Sequence, residues 1–403
     1  MSYFKLSMTL LGSVGHDGCY FFNFFWVLIM GYFFLPESIV NFFLCFLALI
    51  SLMLVLLLTY DFFLMVMGYM LFFISVFFFY CWSFFFLFIF FELSIIPIFF
   101  MSLGYGVQVE KLSSLYFFGL YSFLMGLPFL LFLSFFFQEM SSSLVFLDLK
   151  MNSFLIFFIS VSFLMKIPIY FLHFWLPKLH VEASTLASMV LAGLLLKLGI
   201  FGFMRFLMSL NVGSVMPFTI GFIGSLFGSL LSLGQSDMKA QVAYMSICHM
   251  GVIFSSFFFF SNFSKLSIIY NALSHGFLST LTFWLVGEFF HYSGTRLVYY
   301  LGSLFFSSLS FSYFLTVVLL LSGSLPPSLS YLSEYFFMFF LSYQILFFVW
   351  FVFYFFFDFY MVIYMLMMSW SGKTLVKYYS LQLNLLFFLL ELSINFFWLL
   401  FYM

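Results

Sequence analysis

The sequence predicts an all-α polytopic membrane protein, and three observations carry that reading. Of its 403 residues, 66% are hydrophobic and only 6% are charged, whereas a soluble domain averages about 25% charged residues. Mean hydropathy is +1.24. The apolar residues fall in runs near the ~20 residues a bilayer span requires. The longest polar connection, 138–150, is about a dozen residues, which leaves no room for a soluble domain.

On the span-length rule, helices are expected near 20–35, 39–59, 62–80, 83–103, 113–137, 153–176, 184–207, 213–233, 240–261, 264–290, 299–321, 329–355, 357–370 and 383–402. The first and the thirteenth of these are short, so the expectation is about thirteen spans. Gly- and Ser-containing connections punctuate them: 104–111, 138–150, 234–239, 291–296 and 371–377. Orientation is not encoded in charge. Lys111, Lys150, Lys178, Arg205, Lys239, Lys265 and Arg296 place one basic residue at each of seven consecutive connections, and the positive-inside rule needs an asymmetry.

Helix interruptions are expected at Pro168 and at Pro326-Pro327, because proline removes a backbone donor and clashes with the preceding turn. The first follows Lys166 by two residues, and the second precedes Glu334. An ordinary kink or a loop–helix boundary is the alternative. Discontinuous helices in corresponding halves are nonetheless the best sequence pointer to a transport path.

Net charge is −1, which gives no electrostatic case for nucleic acid. The four cysteines, Cys19, Cys45, Cys81 and Cys248, form no CxxC and no metal or iron–sulfur spacing. No GxGxxG, GxxxxGK[ST], HExxH or GxSxG motif is present. Catalytic redox, cofactor and metal sites are therefore expected to be absent from this chain. The N-terminal segment lacks arginine and has its apolar run broken by Gly12 and Gly15, so neither a secretory signal nor a transit peptide is expected. The 77 Phe, 25 Met and 25 Tyr match codon bias in a T-rich, organelle-type genome. Gly224 and Gly228 are spaced for close helix packing.

What remains are charges where a bilayer disfavours them. Lys166 is the sole formal charge from Ser153 to Pro177, Lys197 from Ala183 to Met204, and Glu92 from Phe62 to Val109. One such charge at a helix centre costs roughly 2.5–3.5 kcal/mol on insertion scales. A static ion pair is one role for Lys166, but such pairs stabilise weakly at best. A switchable proton site, with Glu92 as partner, is the other. His173 is seven residues after Lys166, so an unbroken helix would place both on one face about 10.5 Å apart. His249 and His275 each lie about a third of the way into a span and could relay protons. Lys178, His180 and Glu182 read as an interfacial connection. Asp17, Glu37, Glu139, Asp148 and Asp237 read as solvated connection charges; Asp61 and Asp358 fall near expected span ends, and Glu391 has no evident partner.

The segment from Lys166 to Phe206, with LPKLHVEAS leading on to LLKLG, closely resembles the subunit 4 family of NADH dehydrogenase, the antiporter-like membrane subunits of respiratory complex I. FFELSIIPIFF (90–100), GQSDMKAQVAYMSICHM (234–250), NALSHGFLSTLTFW (271–284) and LPPSLSYLSEYFF (325–337) extend the likeness over about residues 60–340. The resemblance implies a coupled Glu92–Lys166 pair, Lys197 as central lysine, His249 and His275 as connecting histidines, and Glu334 as terminal carboxylate. It implies two inverted five-helix repeats, each with a broken helix. On that scheme residues 1–80 are N-terminal helices with one fewer than the family has, 81–235 and 236–370 are the two halves, and 371–403 is a C-terminal helix. It further implies proton translocation in the mitochondrial inner membrane and structural lipids among the contacts. The implied partners are complex I membrane subunits, especially the antiporter-like subunits 2 and 5. Flavin, iron–sulfur clusters and quinone would belong to partner subunits. Composition and the shortened start look like an invertebrate, nematode-type mitochondrial sequence. The rival readings are a subunit of a stand-alone multisubunit cation/proton antiporter and a purely structural scaffold.

Overall fold

A computed structural model describes residues 61–371, apart from 82, 107, 109, 137–159, 211–214, 258–261, 303–308 and 342–344, together with 391, 392 and 395. The expected spans 20–35 and 39–59, nearly all of 383–402, and the expected loss of an N-terminal helix lie outside these residues. So do Cys19, Cys45, Asp17, Glu37, Glu139, Asp148 and Lys150.

The described residues are helical, with a single isolated bridge between Asp237 and Leu297 as their extended pairing. In chain order the helices are α1 (Phe62–Tyr80), α2 (Phe84–Leu93), α3 (Ile95–Tyr105), α4 (Lys111–Phe136), α5 (Trp175–Glu182), α6 (Thr185–Val190), α7 (Leu196–Leu210), α8 (Val215–Leu233), α9 (Met238–Ser256), α10 (Asn262–Ser293), α11 (Leu309–Ser322), α12 (Leu329–Leu341) and α13 (Ile345–Trp370). A short helical segment at 160–164 precedes the first break, and a π-turn (Leu191–Leu195) joins α6 to α7. Five stretches among the described residues are long and apolar enough to span a membrane, which makes this a multi-pass membrane protein.

Burial separates the centre from the rim. The rod Thr185–Leu207 is 94% buried, against 33% for Phe62–Phe79 and 33% for Phe348–Trp370. The rim helices turn Phe73, Phe77, Trp350, Phe353 and Phe356 outward. In water such faces would drive association; here the solvent is lipid.

Helix ends follow local chemistry. Ser83, Ser184 and Asp237 cap α2, α6 and α9 by accepting from the amides of Phe86, Ala187 and Lys239. Arg205 donates to the carbonyls of Cys81 at 2.8 Å and Phe79 at 2.5 Å, so a basic side chain satisfies the C-terminus of α1. At one end of the bundle Arg296 donates to Val181 O, Lys239 to Ala183 O, and the amides of Met238 and Val298 pair with Arg296 and Ser236. This ties the α5–α6 turn to the start of α9 and the end of α10.

Glycine sets the closest crossing. A Cβ on Gly221 would meet Gly251 O at 2.6 Å, and one on Gly251 would meet Gly221 O at 2.7 Å, so α8 and α9 pack backbone to backbone. Gly228 faces the Cys248 backbone, but Gly224 faces Tyr170. The expected Gly224-xxx-Gly228 pair therefore serves two neighbours; Gly221 and Gly228, two turns apart, make the α9 contact.

Both expected interruptions are present. The chain is non-helical over 165–174 and over 323–328. Phe171 and Ser324 have φ of 78° and 55°, a left-handed conformation that ends a helix. Freed carbonyls in a membrane interior need donors. Trp175 Nε1 donates to Met165 O at 3.1 Å and Tyr121 OH to Leu172 O at 3.2 Å. At the second break Ser330 Oγ donates to Leu321 O at 2.9 Å, and Ser328 Oγ accepts from the Tyr331 amide at 3.1 Å.

Three expectations need correction. The division between spans 329–355 and 357–370 falls elsewhere, because α13 runs unbroken from Ile345 to Trp370; Asp358 is thus mid-helix. The span at 83–103 is two helices meeting at Ser94, with Pro97 unable to donate back to Leu93. His173 does not share a helix face with Lys166, since the break over 165–174 separates them.

Candidate functional site

The first site forms where the α2–α3 junction meets the first break. Without a regular turn at Ser94, the Phe91 carbonyl is open to side chains and accepts from Ser94 Oγ at 2.6 Å. Lys166, wholly buried, donates to the same carbonyl and to Ser94 Oγ at 2.9 Å. Its ammonium also lies 3.4 Å from the Phe91 ring centroid, a cation–π contact strengthened by the absence of water. Glu92 is within electrostatic reach of Lys166, but its carboxylate lies against α4, where a Cβ on Gly126 would be 3.1 Å from Oε1. The charges are neighbours whose nearest contacts go elsewhere.

The second site is built on the π-turn. A π-turn inserts a residue and leaves backbone groups free of the regular ladder. Directly after it, Lys197 donates to Ala192 O at 2.5 Å and contacts His275 Nδ1 on α10 at 2.8 Å. With the lysine donating, Nδ1 is the acceptor and Nε2 carries the ring hydrogen. His275 Nε2 has no protein partner. His249 on α9 follows, its ring centroid 5.8 Å from that of His275. Of the two connecting histidines, His275 is the one in contact with Lys197, and His249 stands next to it.

A cavity of about 30 Å³ opens beside these rings, lined by His249, His275, Asn271, Ser246, Ser322 and Ser330 among others. Polar side chains reach into it, and that volume has room for one or two waters. Ser322 and Ser330 flank the second break, behind which Glu334 is 5% exposed. Glu334 Oε1 accepts from Ser324 Oγ at 2.7 Å and from Tyr354 OH at 3.2 Å, and the carboxyl is in electrostatic reach of His249. Tyr331 and Ser333, the hydroxyls just before it in sequence, do not serve it. Tyr331 is 40% exposed, and Ser333 donates to Ser330 O.

The remaining predicted residues are dispersed. His173 is buried in a stack with Tyr170 and Phe174 and has no partner at Nδ1. His180 is fully buried, stacked on Phe283 at 4.5 Å, with neither ring nitrogen partnered. Glu182 is buried as well, so Lys178 alone of that trio is exposed. Glu391 does have a partner, accepting from Thr280 Oγ1 at 2.7 Å. Lys166 and Lys197 have separate partner sets, although Gly199 of α7 passes so close to Lys166 that a Cβ there would lie 3.0 Å from its own. Sequence reasoning missed Tyr354 and Ser324, and left Asp358 undecided. Tyr354 and Asp358 are four apart in an otherwise apolar stretch, a spacing that puts both on one helix face.

Comparison with known proteins bears on this arrangement. The family described as NADH:quinone oxidoreductase/Mrp antiporter, TM, matches residues 81–358. NADH-ubiquinone oxidoreductase chain 4 of Caenorhabditis elegans is 46% identical over 252 residues, covering 62% of this chain and 61% of that protein. The Ascaris suum protein of the same description matches equally, at 46% over 252 residues. The chain thus spans 61% of the length of these nematode relatives. In fold it is similar to a chain of respiratory complex I from Thermus thermophilus, with TM-score 0.79, 20% identity, and coverage of 89% of this chain and 80% of that one. It is also similar to a chain of the Mrp complex from Dietzia sp., with TM-score 0.75, 12% identity, and coverage of 83% and 66%.

Proposed function

We propose a function from one premise: the chain belongs to the NADH:quinone oxidoreductase/Mrp antiporter transmembrane family. It translocates protons across the mitochondrial inner membrane as a core membrane subunit of NADH:ubiquinone oxidoreductase, in the position of chain 4. Flavin, iron–sulfur clusters and quinone are held by partner subunits in this reading. Its neighbours are the other membrane subunits, the antiporter-like subunits 2 and 5 foremost, and phospholipid covers the rim. The two breaks are the equivalent points of two inverted five-helix repeats, in a bundle of about thirteen spans. The halves are 81–235 and 236–370, flanked by 1–80 and 371–403.

The observation that carries the reading is the series Lys197, His275, a small cavity, His249 and Glu334, buried among apolar helices, with Lys197 in direct contact with His275. A proton leaving Lys197 Nζ binds His275 Nδ1, and the imidazolium gives up its Nε2 hydrogen to cavity water. That water passes a proton to His249 or directly to Glu334. Glu92 and Lys166 supply the upstream switch. When Glu92 draws nearer, the charged form of Lys166 is favoured; when it withdraws, burial favours release. Redox energy enters as the movement that changes their separation. His173 and His180 are secondary polar positions near this line.

The test is proton uptake by the purified assembly in vesicles. NADH-driven uptake that falls on Lys197→Met with the complex still assembled supports the reading. Redox-independent Na⁺/H⁺ exchange by an assembly without flavin or iron–sulfur proteins supports the antiporter instead.

A further inference from the structure

We propose that Asp358 is a second proton acceptor beyond Glu334, so that the buried line ends in two carboxyls on different helices joined by the Tyr354 phenol. The inference rests on the proton-translocation reading and extends it from α12 to α13.

Asp358 sits near the middle of the 26-residue α13 and is 4% exposed. No other formal charge occurs from Ile345 to Ser371. An ionisable group in such a segment is disfavoured by roughly 2.5–3.5 kcal/mol on insertion scales. Its partner on α9 does little to offset that: Cys248 Sγ donates to Oδ1 at 3.7 Å, and a thiol is a weak donor. Among the described residues, the buried neighbours of Asp358 on α13, Phe351 and Val362, pack with aromatic and aliphatic groups, which do not call for a carboxyl.

What does single out the position is its relation to Glu334. Tyr354, wholly buried and one turn before Asp358, donates to Glu334 Oε1. Residues four apart on a helix have Cβ atoms about 5–6 Å apart, and Asp358 is in electrostatic reach of both the phenol and Glu334. Both carboxyls act electrostatically on the phenol and on Cys248, which places all four groups in one pocket between α9, α12 and α13. A separate observation brings protons there. The cavity that holds the unpartnered His275 Nε2, 6% exposed, is also lined by Ser322 and Ser330, the residues that flank the break from which Ser324 reaches Glu334.

The step balances without any co-reactant. Glu334 accepts a proton from cavity water, which takes one in turn from the His275 imidazolium, so each O–H or N–H bond broken is matched by one formed. The phenol then turns, accepts the Glu334 hydrogen, and releases its own to Asp358. One proton has moved, the phenol is unchanged, and no electron is transferred. Tyr354 already bonds Glu334 in this structure, so the phenol is in place for that exchange.

The experiment compares Asp358→Asn, Asp358→Glu and Lys197→Met in the assembled complex, reading protons pumped per NADH oxidised. Asp358→Asn keeps the shape and the Cys248 contact, so a purely structural carboxyl would tolerate it. The expected result is a several-fold loss of this subunit's pumping, largely restored by Asp358→Glu. In infrared difference spectra Asp358→Asn is expected to remove one protonated-carboxyl band and shift that of Glu334. Wild-type pumping by Asp358→Asn while Lys197→Met fails overturns the proposal and leaves the function standing; wild-type pumping by both overturns the two together. If Asp358→Asn does not assemble, Tyr354→Phe carries the test. A several-fold loss supports the relay, and unchanged pumping overturns it.

Discussion

The two breaks in this bundle look alike in sequence and are used differently. At the first, over 165–174, aromatic donors close the freed carbonyls, and Lys166 is held by Phe91 O, Ser94 Oγ and the Phe91 ring. At the second, over 323–328, serine hydroxyls close the carbonyls, and Glu334 faces a phenol with a polar cavity close by. In the proposed mechanism the charge saturated by fixed partners serves as the switch, and the carboxyl with hydroxyl neighbours, next to room for water, serves as the conductor. The difference lies in what repairs the broken helix: bulky donors fill the space, and small ones leave it for water.

The largest expected effect sharpens that contrast from the conducting side. Glu334→Gln should abolish this subunit's share of pumping, roughly tenfold or more, because positioned acid–base groups contribute about 10²–10⁴-fold; proton uptake in vesicles at unchanged NADH:acceptor activity checks it. On the switching side, Lys166→Met should leave the complex assembled and reduce coupled turnover several-fold. A complex that fails to assemble would instead mark Lys166 as structural.

Smaller effects probe the repairs themselves. Trp175→Phe keeps the ring but removes the donor to Met165 O, so the stranded carbonyl should destabilise the fold by about 1–3 kcal/mol, visible as a lower unfolding temperature. Gly251→Ala forces a Cβ onto Gly221 O at the α8–α9 crossing, and overpacking of this kind costs about 1–3 kcal/mol. Glu391→Gln should change pumping least, since Thr280 can still donate to the amide oxygen; pumping losses equal to those of Glu334→Gln would remove the distinction between the two carboxyls.

Much of this was written in residue type. The span pattern, both interruptions, and the isolation of Lys166, Lys197 and Glu334 in apolar runs followed from hydropathy and proline placement. Other parts depend on pairings between distant segments that periodicity cannot express. The π-turn at Leu191–Leu195 has no proline or glycine pair to announce it, yet it aims Lys197 at His275. Tyr354 and Asp358 looked peripheral because aromatic residues saturate 345–360 and blur the end of one span into the next. The full burial of His180 against Phe283 of α10 is likewise a contact between distant segments that its charged sequence neighbours do not announce. That Lys166 bonds the Phe91 carbonyl while Glu92 stays in electrostatic reach was not legible either, because it takes a meeting of distant segments at the Ser94 junction that exposes this carbonyl.

The central claim is that the second half conducts through water beside His275. Locating ordered waters in a map of the intact assembly tests it most directly. The account predicts at least one water bonded to His275 Nε2 and bridged through Ser330 or Ser322 toward Glu334, lost or displaced in Lys197→Met. A dry cavity in every captured state, with His275 Nε2 turned to a protein partner instead, would contradict it.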